Sequence, residues 1–147
     1  MIRGIDSNIL VYMAASDVPQ HGKSRRAVED FLSLSPENRI AVTQDVLFEF
    51  AHVVTDPKRL QRPLKMAAAL DWAEAFWSGR ETTPLLPTPA TFTRTLELMR
   101  AHALSRKRIR DTLLAALLEE NGVRELLTAN AADFRLFPFL QAIDPTR

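Results

Sequence analysis

The stretch MIRGIDSNILVYMAA, residues 1–15, changes character at its sixth position. Met1 to Ile5 is short and apolar with β-branched character, which suits a strand, whereas SNILVYMAA behind it reads as helix. The changeover falls on Asp6, so a carboxylate stands where an apolar strand hands the chain to a helix. The alternation recurs downstream. Arg39 to Thr43 (RIAVT) is a second short strand, and Thr43 or Asp45 caps the helix QDVLFEFAHVV, which ends before Asp56-Pro57. Glu125 to Thr128 (ELLT) is another strand, followed by a short helical turn at AADF and a last strand at Leu140 to Ile143. Short strands alternating with helices predict an α/β domain with a mainly parallel sheet. Ligands of such sheets bind beyond the carboxyl ends of the strands. Asp6 and the segment Thr128 to Asp133 both lie at such ends.

The segments between these strands read as helices. His21 to Leu34 sets Val28, Phe31, Leu32 and Leu34 among charged residues at helical spacing and is closed by Pro36. Pro63 suits the first turn of a long Ala-rich helix running to about Trp77. After Gly79, TTPLLP holds a short third strand; Thr88 or Thr91 opens a helix to about Leu104. A further helix from about Lys107 to Asn121 stops at Gly122, a natural C-terminal cap. No internal repeat, low-complexity tract or Gly/Ser linker interrupts the chain, so residues 1–147 are expected to form one domain.

Composition narrows the function classes. With 147 residues and no cysteine, the chain is long enough to bury a core without disulfides and has neither a thiolate zinc site nor a cysteine nucleophile. Asp6 and Asn8 interrupt the first apolar run, against a signal peptide, and no stretch approaches the roughly 20 apolar residues of a membrane span. A cytoplasmic protein without a membrane partner is expected. The 19 Lys and Arg balance 18 Asp and Glu, so binding of a nucleic acid must come from a local patch.

Most acidic residues sit on polar faces, but four stand out. Glu49 is flanked by Phe48 and Phe50, with Val46 and Val53 a turn away on either side. Asp111 heads TLLAALL and points along Leu114, Ala115 and Leu118. Asp6 ends a buried strand, and Asp133 follows ELLT through the spacer ANAA. Each has a plain structural alternative: Asp6 as a helix cap, Glu49 in an ion pair, Asp111 at a helix N-terminus, and Asn130 with Asp133 as a capping pair. Four carboxylates at one strand-end cleft would repel unless a cation neutralised them. Oxygen donors without Cys or clustered His select Mg²⁺ or Mn²⁺. Such ions orient a phosphodiester, acidify an attacking water and stabilise the departing oxygen. The stretch Arg94 to Arg110 supplies six cations against one acid, and Arg106, Lys107, Arg108 and Arg110 run straight into Asp111 as candidate RNA contacts. A solvated helix end is the alternative for the first three.

Taken together, GIDSNILVY, the lone Glu49, RDTLLAALLEENG and ELLTANAADF resemble the PIN-domain family, and more narrowly the ribonuclease toxins of VapBC toxin–antitoxin pairs. The resemblance covers almost the whole chain. It implies a three-layer α/β/α sandwich with a mainly parallel sheet of four or five strands. It also implies a catalytic metal site of Asp6, Glu49, Asp111 and Asp133, supported by Asn8, Thr128 and Asn130; the closing contact belongs to either Asn130 or Asp133. The activity implied is Mg²⁺-dependent endonucleolytic cleavage of RNA leaving a 5′-phosphate, with a cognate antitoxin covering the acidic cleft. A homodimer is implied too, for which the apolar surface around Trp72, Phe76 and Trp77 is a candidate, core packing being the alternative. Two other readings stay open: a PIN-like domain that binds RNA or protein without cutting, and a phosphatase using Asp6 as nucleophile, although the second Asp expected two residues on is Asn8.

Overall fold

A computed structural model describes residues 1–147. Five strands, β1 (Ile2–Ile5), β2 (Arg39–Thr43), β3 (Thr82–Leu85), β4 (Glu125–Leu127) and β5 (Gln141–Ile143), form one sheet in the order β3-β2-β1-β4-β5. Every pairing is parallel. The helices are α1 (Ser7–Ala14), α2 (His21–Ser33), α3 (Gln44–Val54), α4 (Met66–Ser78), α5 (Pro89–Ala101), α6 (Ile109–Glu120) and the single turn α7 (Ala131–Phe134), with a 3-10 turn at Arg106–Arg108. α1 packs on α2 and α3, α3 on α4, and α5 on α6, giving the expected three layers. No helix is long and apolar enough to cross a membrane.

Parallel strands covered on both faces need apolar residues on both, which is why the central strands carry continuous runs rather than alternation. Ile5, Ala41, Val42, Leu126 and Leu127 are all buried. Helices close over them with Ile9, Leu10, Phe50, Val54 and Leu118, and Phe134 and Phe137 seal the β5 side. Pro84 is tolerated in β3 because that strand is at the sheet edge, where a missing N–H costs no interior ladder bond.

Several boundaries differ from the sequence reading for local reasons. Pro63 lies outside α4: the Leu64 N–H donates to the Val54 carbonyl at 2.9 Å, holding the chain against the end of α3, and the helix starts only at Met66. α5 stops at Ala101, short of Leu104, because Ala103 takes a positive φ of 48°. Gly122, at φ 68°, ends α6 as expected, and the Val123 N–H closes back on the Leu118 carbonyl at 2.9 Å. Thr43 caps α3 by accepting from the Val46 N–H at 3.1 Å. Phe76 and Trp77 pack against the core, Phe76 edge-on to Phe50 at 5.6 Å, whereas Trp72 is 39% exposed and tilts onto Phe76.

β1 can lie so close beneath α6 because its third residue is glycine. A Cβ on Gly4 would stand 2.8 Å from one methyl of Leu118 and 3.0 Å from the other. Gly4→Ala is therefore expected to destabilise the domain by about 1–3 kcal/mol through overpacking. A thermal melt checks it, with a fall in Tm of about 2–4 °C per kcal/mol expected for a domain of this length.

Candidate active site

The carboxyl ends of β1 and β4 are bound together by side chains. Thr128 Oγ1 donates to Asp6 Oδ2 at 2.7 Å, and Asp6 Oδ1 accepts from the Ser7 N–H at 2.8 Å. Asn8 donates to Asp6 Oδ2 at 3.4 Å while its own carbonyl oxygen accepts from the Ala129 N–H at 3.0 Å. Asp6 thus caps α1, as the structural alternative had it, and at the same time faces a cleft. Burial raises its pKa, opposed by the hydrogen bonds from Thr128 and Ser7.

That cleft, of about 440 Å³, is lined by Asp6, Glu49 and Asp111 together with Asn8, Asp45 and Asn130. α3 supplies Glu49 one turn after Asp45, on the same face. α6 supplies Asp111 in its first turn. The Asp111 carboxyl is pushed up to about 6, first by burial and then by the charges of Asp6 and Asp133, against the pull of Arg108 and Arg110.

The sequence pattern of the PIN domain matches residues 5–140, nearly the whole chain. The chain belongs to the PIN-domain family. Relatives of this PIN domain include Ribonuclease VapC24 of Mycobacterium tuberculosis, 29% identical over 141 residues that cover 96% of this chain and 94% of that protein. Ribonuclease VapC33 of the same organism is 26% identical over 142 residues, covering 97% and 96%. Among solved structures, VapBC2 from Rickettsia felis bound to a DNA fragment from their promoter shares the fold with a TM-score of 0.67, at 20% identity over 97% of this chain and 98% of that one.

In this PIN domain the expected residues fall into distinct places. Asp6, Glu49, Asp111 and Asn130 line the cleft, and Asn8 and Thr128 brace its floor. Asp133 does not line it: it sits exposed in α7, where its charge reaches Asp111. No three of the acidic or histidine side chains stand close enough to ring one ion. The reason at Glu49 is Arg110, which donates one amino group to its carboxylate. The other guanidinium nitrogens of Arg110 hold Asp45, at 3.2 Å from Nε to Oδ2 and 3.0 Å from Nη2 to Oδ1.

Arg108 is engaged as well. It donates to the Asp133 carbonyl, and its Nε lies 3.8 Å from Asp111 Oδ2, buried and without a hydrogen bond. Of the four cations expected to meet RNA, Arg106 and Lys107 remain exposed and uncommitted to a carboxylate, and Lys107 lines the cleft. Two features escaped the sequence reading. Asp45, a cap candidate in the sequence, stands four residues before Glu49, and that spacing puts both on one face. Arg59 and Leu60, from the loop after α3, also line the cleft.

Because the Asp111 pKa is raised from 3.8 to about 6, its contribution to stability is fully present below the lower value and lost as pH rises through the upper one. Ionised Asp111 therefore weighs against the metal-free fold near neutral pH. The shift corresponds to about 3 kcal/mol before solvent screening. Screening of this partly exposed group reduces that to about 1–2 kcal/mol. In chelator, Asp111→Asn is expected to raise Tm by about 3–6 °C at about pH 7.5 and by clearly less at about pH 5. Melts at both pH values provide the check.

Proposed function

We propose that this PIN domain is an endoribonuclease toxin of the cytoplasm that hydrolyses RNA phosphodiester bonds with Mg²⁺, or Mn²⁺ in its place, and is silenced by a cognate antitoxin. The principal support is one observation: two carboxylates from different elements, Asp6 just after β1 and Asp111 on α6, meet in a cleft at the end of the central strand, where the charge of Asp6 helps raise the Asp111 pKa. Full-length likeness to proteins named as VapC ribonucleases supports the nuclease, and a VapBC pair among the structural neighbours supports the antitoxin.

The donor set fits a hard divalent cation, since it offers carboxylate and amide oxygens with mutual repulsion to relieve. Asp6 and Asp111 would hold it, joined by Glu49 once Arg110 releases that side chain, with Asn130 at the wall and Asp133 acting through its field. A bound ion would supply an acidified water, an oriented phosphodiester and charge for the departing oxygen. The chain's own groups prepare this. Thr128 and Asn8 fix the Asp6 carboxylate against rotation, Arg108 braces α7 beside Asp111, and Lys107 offers a cation to a phosphate at the cleft mouth. Exposed Phe48 on α3, Trp72 on α4 and Phe92 on α5, at 69%, 39% and 67%, support a homodimer formed through helical surfaces.

Cleavage of RNA by antitoxin-free protein is expected in Mg²⁺ or Mn²⁺ and not in chelator. Asp6→Asn and Asp111→Asn should each lower it at least about 100-fold with the fold retained, because one carboxylate of the donor set is lost. Undiminished cutting by Asp6→Asn protein, prepared identically, would remove Asp6 from the site. A second outcome concerns Arg110, whose charge competes with an ion for Glu49. Arg110→Ala should tighten Mn²⁺ about fivefold in a calorimetric titration, since a neighbouring like charge costs on the order of 1 kcal/mol or more. Ion affinity should also fall as pH drops below about 6, where Asp111 takes up a proton.

A further inference from the structure

The loop between α3 and α4 reads DPKRLQRPLK, residues 56–65, and holds four cations against one acid. Its backbone is well anchored. Asp56 Oδ1 accepts from the Lys58 N–H at 2.8 Å, the Asp56 carbonyl accepts from the Arg59 and Leu60 N–H groups at 3.2 and 3.1 Å, and Leu64 is held to Val54 at 2.9 Å. Leu60 and Leu64 pack against the core, which leaves Lys58, Arg59, Arg62 and Lys65 exposed on a fixed base. Arg59 faces Asp56 at 3.6 Å with 58% of its side chain open to solvent, and it lines the cleft. Beside it the cleft wall is apolar and aromatic, formed by Tyr12, Val53 and Leu60.

We propose that this loop is a second phosphate-binding wall of the cleft, with Arg59 as its contact inside the cleft and Tyr12 beside it as a seat for a base. The reading rests on the nuclease function proposed above and adds the path that the strand takes across the cleft. A single strand presents phosphates and unstacked bases together: the phosphates suit Arg59, Arg62 and their neighbours, and an unpaired base suits the face made by Tyr12 and Leu60. A duplex keeps its bases stacked and offers that face nothing. The need for such a wall follows from Arg108 and Arg110, whose guanidinium groups are engaged by groups of the domain itself, so that of the other basic stretch only Lys107 both lines the cleft and has no carboxylate partner.

The test measures binding by full-length protein carrying Asp6→Asn, with random-sequence single-stranded RNA and with total cellular RNA, at several salt concentrations. The double variant Arg59→Ala/Arg62→Ala is compared with Lys23→Ala/Arg26→Ala, which removes equal charge from α2. Each lost contact to a single strand reduces the salt slope by about 0.7, so the loop variant should flatten it by about 1.4 and weaken binding about tenfold near 150 mM salt. The α2 variant should leave both close to the parent, and duplex RNA of equal length should bind the parent less tightly than the single strand. Equal losses in the two variants would mean general attraction and overturn the wall, as would an unchanged slope in the loop variant, while RNA binding by the parent keeps the nuclease reading standing. A polyglutamate peptide competing as well as RNA of equal charge would reassign the loop to an acidic polypeptide. If the parent binds no RNA at all and the unmutated protein cuts none, the nuclease reading falls and takes this inference with it.

Discussion

A carboxylate buried at the end of a central strand is the constraint around which this domain is arranged. Asp6 is only 8% exposed, and a charge removed from water to that degree is costly unless its oxygens are met by donors. Those donors come from two places far apart in the chain. Ser7 and Asn8 begin α1, while Thr128 follows β4, 122 residues away. They converge because β1 and β4 pair in parallel, Ile5 against Leu127, so that both strands end at the same level. The sheet order is thereby tied to the solvation of one side chain, and the helices that bury the sheet also build the cleft into which that side chain looks.

Charge is sorted as well as balanced. The chain carries a formal +1, yet the cations of α6 with its leading turn and those of the loop after α3 differ in kind. Arg108 and Arg110 are counter-ions, placed among Asp45, Glu49 and Asp111, and they let a concentrated set of acids exist in the metal-free fold. Burial opposes the charge of Arg110, but its hydrogen bonds to Asp45 outweigh this and raise its pKa. Lys58, Arg59, Arg62 and Lys65 have one acid among them and stay in water.

Much of this is legible in the sequence, and the rest is not for identifiable physical reasons. RIAVT and QDVLFEFAHVV match β2 and α3 residue for residue, because a threonine cap marks the join and Asp-Pro marks the end. Asp6, Glu49 and Asp111 were conspicuous as charges in apolar surroundings, which is a local property of sequence. The onset of α4 was hidden, since the hydrogen bond from Leu64 to Val54 that delays it is tertiary. The engagement of Arg110 was equally hidden: its partners Asp45 and Glu49 lie 65 and 61 residues away, and a run of cations looks the same whether it faces water or folds onto acids. Asn130 and Asp133 were adjacent alternatives on one turn, and only the backbone path distinguishes the cleft wall from the exposed helix beside it.

The two margins of the sheet bear on how the protein keeps its own company. β3 is four residues long and contains Pro84, and β5 is three residues long. Neither offers the long, flat ladder of free N–H and carbonyl groups on which strands of separate molecules add to one another. The margins therefore leave side-chain surfaces, not strand ladders, as the ground on which two copies could meet, a contact that shape and charge can make specific and reversible. Short and interrupted margins thus protect the domain from the simplest route to irreversible aggregation.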